Sequence, residues 1–308
     1  MIIIRVMGGL GNQLQQYALY KKLEAEGEDV RLDISWFSNM PEQQPGLTSR
    51  KLELDYLEGI EYRAASEEEI RNVLGRLWEE PESFIKKLKR TVYPAGNPAF
   101  IESDMYHKNI FSYRTKYLVG YWACEKYYAD ILGDLRRAIR FPKSENDTLQ
   151  QKNEDMIKQM EQTDSVSLHI RRGDYLDDIN KALFGNICKD TYYESAISYI
   201  KERFPNAKFY LFSDDIPYAR EHYQGEEFQI IDWNQGKDSF YDIMLMSHCR
   251  HNICANSTFS FWGARLNAHE GKIMIRPSIH KNTQICIPEQ MKELWAGWTL
   301  ITPQGKVL

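Results

Sequence analysis

The stretch His169-Ile170-Arg171-Arg172-Gly173-Asp174-Tyr175 follows the apolar run Ser165 to Leu168 and ends it in two guanidinium groups. A short apolar run of this kind reads as a buried strand of a parallel sheet, and open α/β sheets hold their ligands at the carboxyl ends of such strands. Guanidinium is planar and permanently charged, so two of them there suit a phosphate-bearing ligand. An arginine pair at a strand end is otherwise an ordinary solvated feature. Here His169 alternates with Arg171 and shares its face, and Gly173-Asp174 supplies a tight turn that holds that face open. Arg-Gly-Asp is also an adhesion tripeptide, but that use requires an exposed mobile loop.

Two later loops are expected at the same sheet edge, Ser213-Asp214-Asp215 and Asn256-Ser257-Thr258-Phe259-Ser260. Ser257 and Thr258 open a helix, where hydroxyls and free backbone N–H groups can face an anion. Simple N-capping by Ser257 is the plainer reading and does not exclude that role. Asp215 reads as a helix N-cap before Ile216-Pro217. Alternatively, an aspartate here accepts two parallel hydrogen bonds, as the N1–H and N2–H edge of guanine offers. The chain has no Asp-x-Asp, which weakens a metal role. One arginine at contact distance supplies about 4 kcal/mol against a unit charge at an effective dielectric of 20, before desolvation.

At the amino terminus, residues 2–6 read as a strand and Gly8-Gly9-Leu10-Gly11 as a turn. Asn12 reads as the cap of a helix running to Gly27, and residues 30–34 as a second strand. Leu14 occupies the third glycine position of Gly-x-Gly-x-x-Gly, so a nicotinamide dinucleotide site is a weak alternative. Residues 120–128 are dense in aromatic rings. They read either as a platform for an apolar sugar face or as domain-interface packing. A non-catalytic glycan-binding module is the corresponding alternative function.

The chain has 308 residues, 43% of them hydrophobic, and a net charge of −5. That length suits two α/β domains, and that charge argues against a general nucleic-acid surface. Strands alternating with helices after Thr163 imply a doubly wound parallel sheet. The polar stretch 142–151 reads as a linker between domains 1–150 and 151–308. Five cysteines without a Cys-x-x-Cys pair suit free, mostly buried thiols in a reducing cytoplasm. The opening apolar run is too short for a membrane span, and no leader is expected. Helical spacing runs from Ile70 to Trp78, residues 41–46 form a loop, and residues 84–90 form a helix with a basic edge. That edge reads as a solvated face, with peripheral contact to anionic lipid at the inner membrane as the alternative.

Gly8 to Ala18, His169 to Tyr175, Phe212 to Asp215 and Asn256 to Gly263 occur in the order of, and together resemble, the motifs of the α-1,2-fucosyltransferase family. The resemblance implies a GT-B architecture, an acceptor domain facing a donor domain across a cleft. It also implies inverting transfer of L-fucose from GDP-L-fucose to the 2-hydroxyl of a terminal galactose, with no cofactor and no obligatory metal. Arg171 would then hold the β-phosphate, with His169 and Asp215 toward the nucleoside and Asp214 also binding the donor. Ser257, Thr258 and the backbone near Phe259 would cradle the phosphates, Gly11 and Asn256 would also bind the donor, and Asn12 would approach the transferred sugar. The acceptor would lie on Gln13, Tyr121, Trp122, Glu125 and Lys126. The sequence departs from the family at Ala123-Cys124, Phe261 and Arg265, and the first of these bears on the acceptor. Oligomeric state, acceptor identity and any general base stay open.

Overall fold

The computed structural model describes residues 1–38, 50–75, 77, 97–103, 105–173, 175 and 178–308. The chain folds as two units, Met1–Ile139 and Arg140–Leu308. The expected linker differs from this division, because part of 142–151 enters the helix Asp147–Glu161. Asn146 caps that helix by accepting the Leu149 N–H at 3.2 Å, and Leu149, Asn153, Met156 and Met160 form its buried stripe.

The first unit contains β1 (Ile2–Arg5), α1 (Leu10–Ala25), β2 (Val30–Asp33), α2 (Ser35–Ser38) and α3 (Glu67–Leu74). It continues through β3 (Ala99–Ile101), β4 (Lys116–Val119) and α4 (Leu132–Ala138). Its sheet has the order β2-β1-β4-β3, all parallel. Helix α1 starts earlier than Asn12. Gly9 takes the N-cap position, and the Asn12 N–H already donates to Gly9 O at 2.9 Å, so Asn12 lies in the first turn. Helix α3 has a reciprocal capping box between Ser66 and Glu69, and it ends at Gly75, whose φ of 53° suits a residue without Cβ. Its Ile70, Val73 and Leu74 pack on Ile3, Tyr117 and Val119 of the sheet. Trp78, the loop 41–46 and the basic helix 84–90 lie outside the described residues.

The second unit runs α5 (Asp147–Glu161), β5 (Ser165–Ile170), α6 (Asp178–Phe184), α7 (Asp190–Lys201), β6 (Lys208–Ser213), α8 (Ile216–His222) and β7 (Phe228–Ile231). Then come α9 (Phe240–His248), β8 (His251–Ile253), α10 (Thr258–Leu266), β9 (Met274–Pro277), α11 (Pro288–Leu294) and β10 (Trp298–Ile301). The parallel order β10-β9-β8-β5-β6-β7 is that of a dinucleotide-binding fold, reversing between β5 and β8. One face of the sheet buries Val166, Leu168 and Ile170 against Tyr192, Tyr193, Ala196 and Ile200 of α7. The other buries Tyr210, Phe212 and Ile231 against Met156 and Met160 of α5 and Leu245 and Met246 of α9. Burial of such a side chain stabilises by roughly 1.5–3 kcal/mol.

The chain is therefore α/β with two Rossmann-like, doubly wound parallel sheets, the composition of the GT-B architecture. All five cysteines are free, and Cys124, Cys249 and Cys254 are buried. Among the described residues no helix is long and apolar enough to cross a membrane.

Candidate active site

In the second unit the strand register brings three loops to one sheet edge. Ile170 pairs with Ser213 and Leu168 with Ile253, so the chain leaves β5, β6 and β8 on the same side. The loops after β5 and β8 flank the point where the strand order reverses, and the Tyr175 hydroxyl ties them together by donating to Asn256 O at 3.0 Å.

Two aspartates hold the two arginines. Arg171 Nη1 lies 3.0 Å from Asp214 Oδ2, with both side chains about a quarter exposed. Asp214 Oδ1 accepts the Arg172 N–H at 2.8 Å. Arg172 Nε donates to Asp215 Oδ2 at 3.0 Å, and its guanidinium stacks 3.7 Å from the Tyr218 ring centre. Asp215 Oδ1 accepts the Tyr218 N–H at 3.1 Å, which makes Asp215 the N-cap of α8. That backbone bond, then the Arg172 pairing, holds its carboxyl below the ordinary range. Gly173 is required by the same packing, since a Cβ there would sit 2.6 Å from Asp214 Oδ2. The arrangement makes the aspartates the fixing groups of the arginines, a geometry that the reading of an aspartate as the partner of a guanine edge did not anticipate.

His169 is buried at the end of β5. Burial, with the Arg171 charge second, pushes its imidazole down to about 3, so the ring is neutral near pH 7. Its backbone carbonyl accepts the Tyr193 hydroxyl at 3.0 Å, and its ring lies 5.9 Å from that of Phe259. His169 Nδ1 is buried and has no hydrogen-bond partner among the described residues. A buried polar atom without a partner costs free energy unless a ligand or water satisfies it. Ser257 occupies the N-cap position of α10, yet its hydroxyl makes no capping bond there, contrary to the plainer sequence reading. Asn256 is structural on the protein side, donating to Phe184 O at 3.1 Å and His280 O at 3.2 Å. Thr258 and Phe259 are partly exposed at the first turn of α10.

In the first unit the Gly-rich turn is built by glutamines. Gly8 has φ 82°, and a Cβ there would lie 2.5 Å from Asn12 Nδ2. Gln13, expected to meet acceptor, is instead fully buried. Its Nε2 donates to Gly8 O and Lys51 O at 2.8 and 2.9 Å, and its Oε1 accepts Glu53 N–H and Leu54 N–H. An amide with both ends engaged inside the fold has nothing left for a sugar. Gln16 accepts the Met7 N–H at 3.0 Å and donates to Gly120 O at 2.9 Å, which brings the end of β4 beside the turn. Gly11 is buried within α1.

Trp122 is also corrected. It has φ 51°, is wholly buried, and packs against Phe100 and Tyr127, so it belongs to the core rather than to an open platform. Tyr121 beside it is 47% exposed. Glu102 Oε2 accepts the N–H groups of both Tyr121 and Trp122 at 2.8 Å. Glu125 and Lys126 are partly exposed in a 3-10 turn, Lys126 Nζ lying 5.6 Å from the Tyr106 ring centre.

Residues 96–301 match the sequence profile of Glycosyl transferase family 11. The chain belongs to glycosyl transferase family 11. It is 30% identical over 283 residues to an alpha-1,2-colitosyltransferase of Escherichia coli, covering 90% of this chain and 91% of that one. It is 30% identical over 296 residues to the O-antigen biosynthesis glycosyltransferase WbnK of E. coli, with 88% and 91% covered. A 103-residue segment is 27% identical to a galactoside alpha-(1,2)-fucosyltransferase 1 of Saimiri boliviensis boliviensis, covering 33% of this chain and 28% of that one. Among solved structures, POFUT1 in complex with GDP-fucose is similar with a TM-score of 0.41 and 13% identity, over 89% of this chain and 97% of that one. ADP-heptose lps heptosyltransferase II of E. coli has a TM-score of 0.40 and 14% identity, over 97% and 89%.

Within this family-11 chain, sequence reasoning missed Glu53 and Glu102. Glu53 Oε2 accepts the Leu10 N–H at 2.7 Å, and Glu102 lies nineteen positions before the Tyr121 amide that it binds. Neither belongs to a motif, and each contact is made across a long stretch of chain. The only signal available in sequence was an acid in a region otherwise poor in pattern.

Proposed function

We propose that this glycosyltransferase moves L-fucose from GDP-L-fucose to the 2-hydroxyl of a terminal galactose, with inversion and without an obligatory metal. The observation that carries the reading is the pair of aspartate-fixed arginines at the reversal point of the second sheet, beside the first turn of α10. Breaking the glycosyl–phosphate bond places negative charge on the departing diphosphate. Cations already fixed in place stabilise that charge without reorganising during the reaction. Arg171 is assigned to the β-phosphate, and Ser257, Thr258 and the Phe259 N–H to the remaining phosphate oxygens. His169, neutral and with an unsatisfied ring nitrogen, is assigned a hydrogen bond to the donor. Acceptor is assigned to the first unit, with Tyr121 as its stacking ring. Asn12 is assigned to the transferred sugar.

A second reading is favoured by the colitosyltransferase relative, which matches across most of both chains. In it the donor is a GDP-sugar other than GDP-fucose, handled by the same phosphate grip. A donor and acceptor panel separates the two: GDP-fucose, GDP-colitose and GDP-mannose crossed with galactose-terminated disaccharides, in EDTA, with the product linkage read by NMR. GDP-fucose is expected to give an α-1,2 product. Arg171→Ala is expected to lose at least a hundredfold in turnover with its thermal midpoint retained. Undiminished turnover in that variant, or no transfer from any GDP-sugar, refutes the reading.

A further inference from the structure

The proposed transfer leaves one proton unassigned, that of the attacking hydroxyl. Asn12 is an amide and cannot take it, while Asp214 and Asp215 hold the arginines. In the first unit Asp33 accepts the Tyr117 hydroxyl and the Ser35 N–H, and Glu102 accepts two backbone amides. Glu53 is placed differently. Its Oε2 accepts the Leu10 N–H at 2.7 Å in the Gly-rich turn, whereas its Oε1 has no hydrogen-bond partner among the described residues. Gln13 fixes it from behind, since the amide that accepts the Glu53 N–H also holds Gly8 O and Lys51 O. Glu53 therefore offers one anchored and one available oxygen at the turn that carries Asn12.

We propose that Glu53 is the general base of the transfer, with Oε1 receiving the proton of the acceptor hydroxyl. This rests on the reading of the chain as a GDP-sugar transferase. As the acceptor oxygen bonds to the anomeric carbon, the bond from that carbon to the β-phosphate oxygen breaks. The electron pair leaves with GDP, and the hydroxyl proton passes to Glu53 and then to solvent. The surroundings suit that task. Partial burial raises the Glu53 carboxyl above its ordinary range, against the lowering by the Leu10 N–H and the Arg50 charge. Among the described residues Arg50 is the charged group facing it, and its guanidinium lies against Gly9, where a Cβ would stand 3.5 Å from Nη1. A carboxylate that is harder to ionise is the stronger proton acceptor once ionised.

Glu53→Gln tests this, because the amide oxygen still accepts the Leu10 N–H while the base is lost. In the whole two-unit chain kcat is expected to fall by about a hundredfold or more. KM for the GDP-sugar, the thermal midpoint and protection by GDP should stay near wild type. The acidic limb of the kcat–pH profile should disappear in the variant. Turnover within a few-fold of wild type would show that Glu53 only caps α1 and overturns the proposal. Should Glu53→Gln fail to fold, the wild-type profile decides: kcat that is flat down to the ordinary glutamate range excludes a raised carboxyl base. Wild-type transfer in the same assay tests the transferase reading separately.

Discussion

At the residue scale, the proposed chemistry depends on groups whose own freedom has been removed. In the proposed function Arg171 is a preorganised cation because Asp214 holds one side of its guanidinium and, through its other oxygen, the backbone of Arg172. Asp214→Asn is therefore expected to lower kcat by roughly ten- to a hundredfold, a loss of about 1.4–3 kcal/mol of transition-state stabilisation. The fold should survive, and the donor KM should rise by less than kcat falls. Steady-state kinetics beside a melting curve check both, and unchanged kinetics would remove Asp214 from the mechanism. Gly8 illustrates the same dependence on backbone. Alanine there meets both a φ of 82° and the Asn12 side chain, so Gly8→Ala should destabilise the protein by about 1 kcal/mol or more in urea unfolding.

At the element scale, buried and partly buried ionisable groups give the second unit a stability that depends on pH in two opposing ways. His169, near the end of β5, and His280, in the loop after β9, are both pushed down to about 3 by burial and neighbouring cations. Between pH 3 and the unfolded value of 6.5 the unfolded chain binds more protons than the folded one, so this contribution is lost as pH falls. The slope is about 1.4 kcal/mol per pH unit for each histidine. Asp242, in the first turn of α9, has the opposite sign. Desolvation of this partly buried carboxyl lifts it from 3.8 to about 8, against the lowering hydrogen bond from Asn234, so its contribution is destabilising as pH rises through that window. Asp242→Asn should therefore gain stability relative to wild type at pH 8 and little at pH 4, measured as urea midpoints. Equal shifts at both pH values would show that its carboxyl titrates normally.

At the scale of the whole molecule, each unit has its own parallel sheet and its own buried core. The residues assigned to GDP belong to the second unit. A ligand stabilises what it binds by about 2.7 kcal/mol at a hundred times its Kd. Saturating GDP is therefore expected to move the second unit's transition upward in a calorimetric scan and to leave the first unit's nearly unchanged when the two are resolved. A shift confined to the first unit would contradict the assignment of donor.

Much of the second unit was legible in the amino-acid order. Strand Ser165–Ile170 alternates Val166, Leu168 and Ile170 with polar residues, Lys208–Ser213 carries the apolar run 209–212, and their loops hold the charged residues, so period, breakers and motif all agree. The first unit was harder to read because β3 and β4 have only three and four residues, too few for a periodic pattern. Helix α1 is buried on nearly every side and shows no polar face to mark its orientation. The sequence by itself determined that parallel strands would deliver the two arginines and the later loops to one sheet edge. Tertiary structure alone decided that Asp214 and Asp215 hold the arginines, that Gln13 and Trp122 lie inside the fold, and that Glu53 meets the Gly-rich turn. Those are contacts between segments far apart along the chain, set by packing and backbone hydrogen bonding, and no local spacing encodes them.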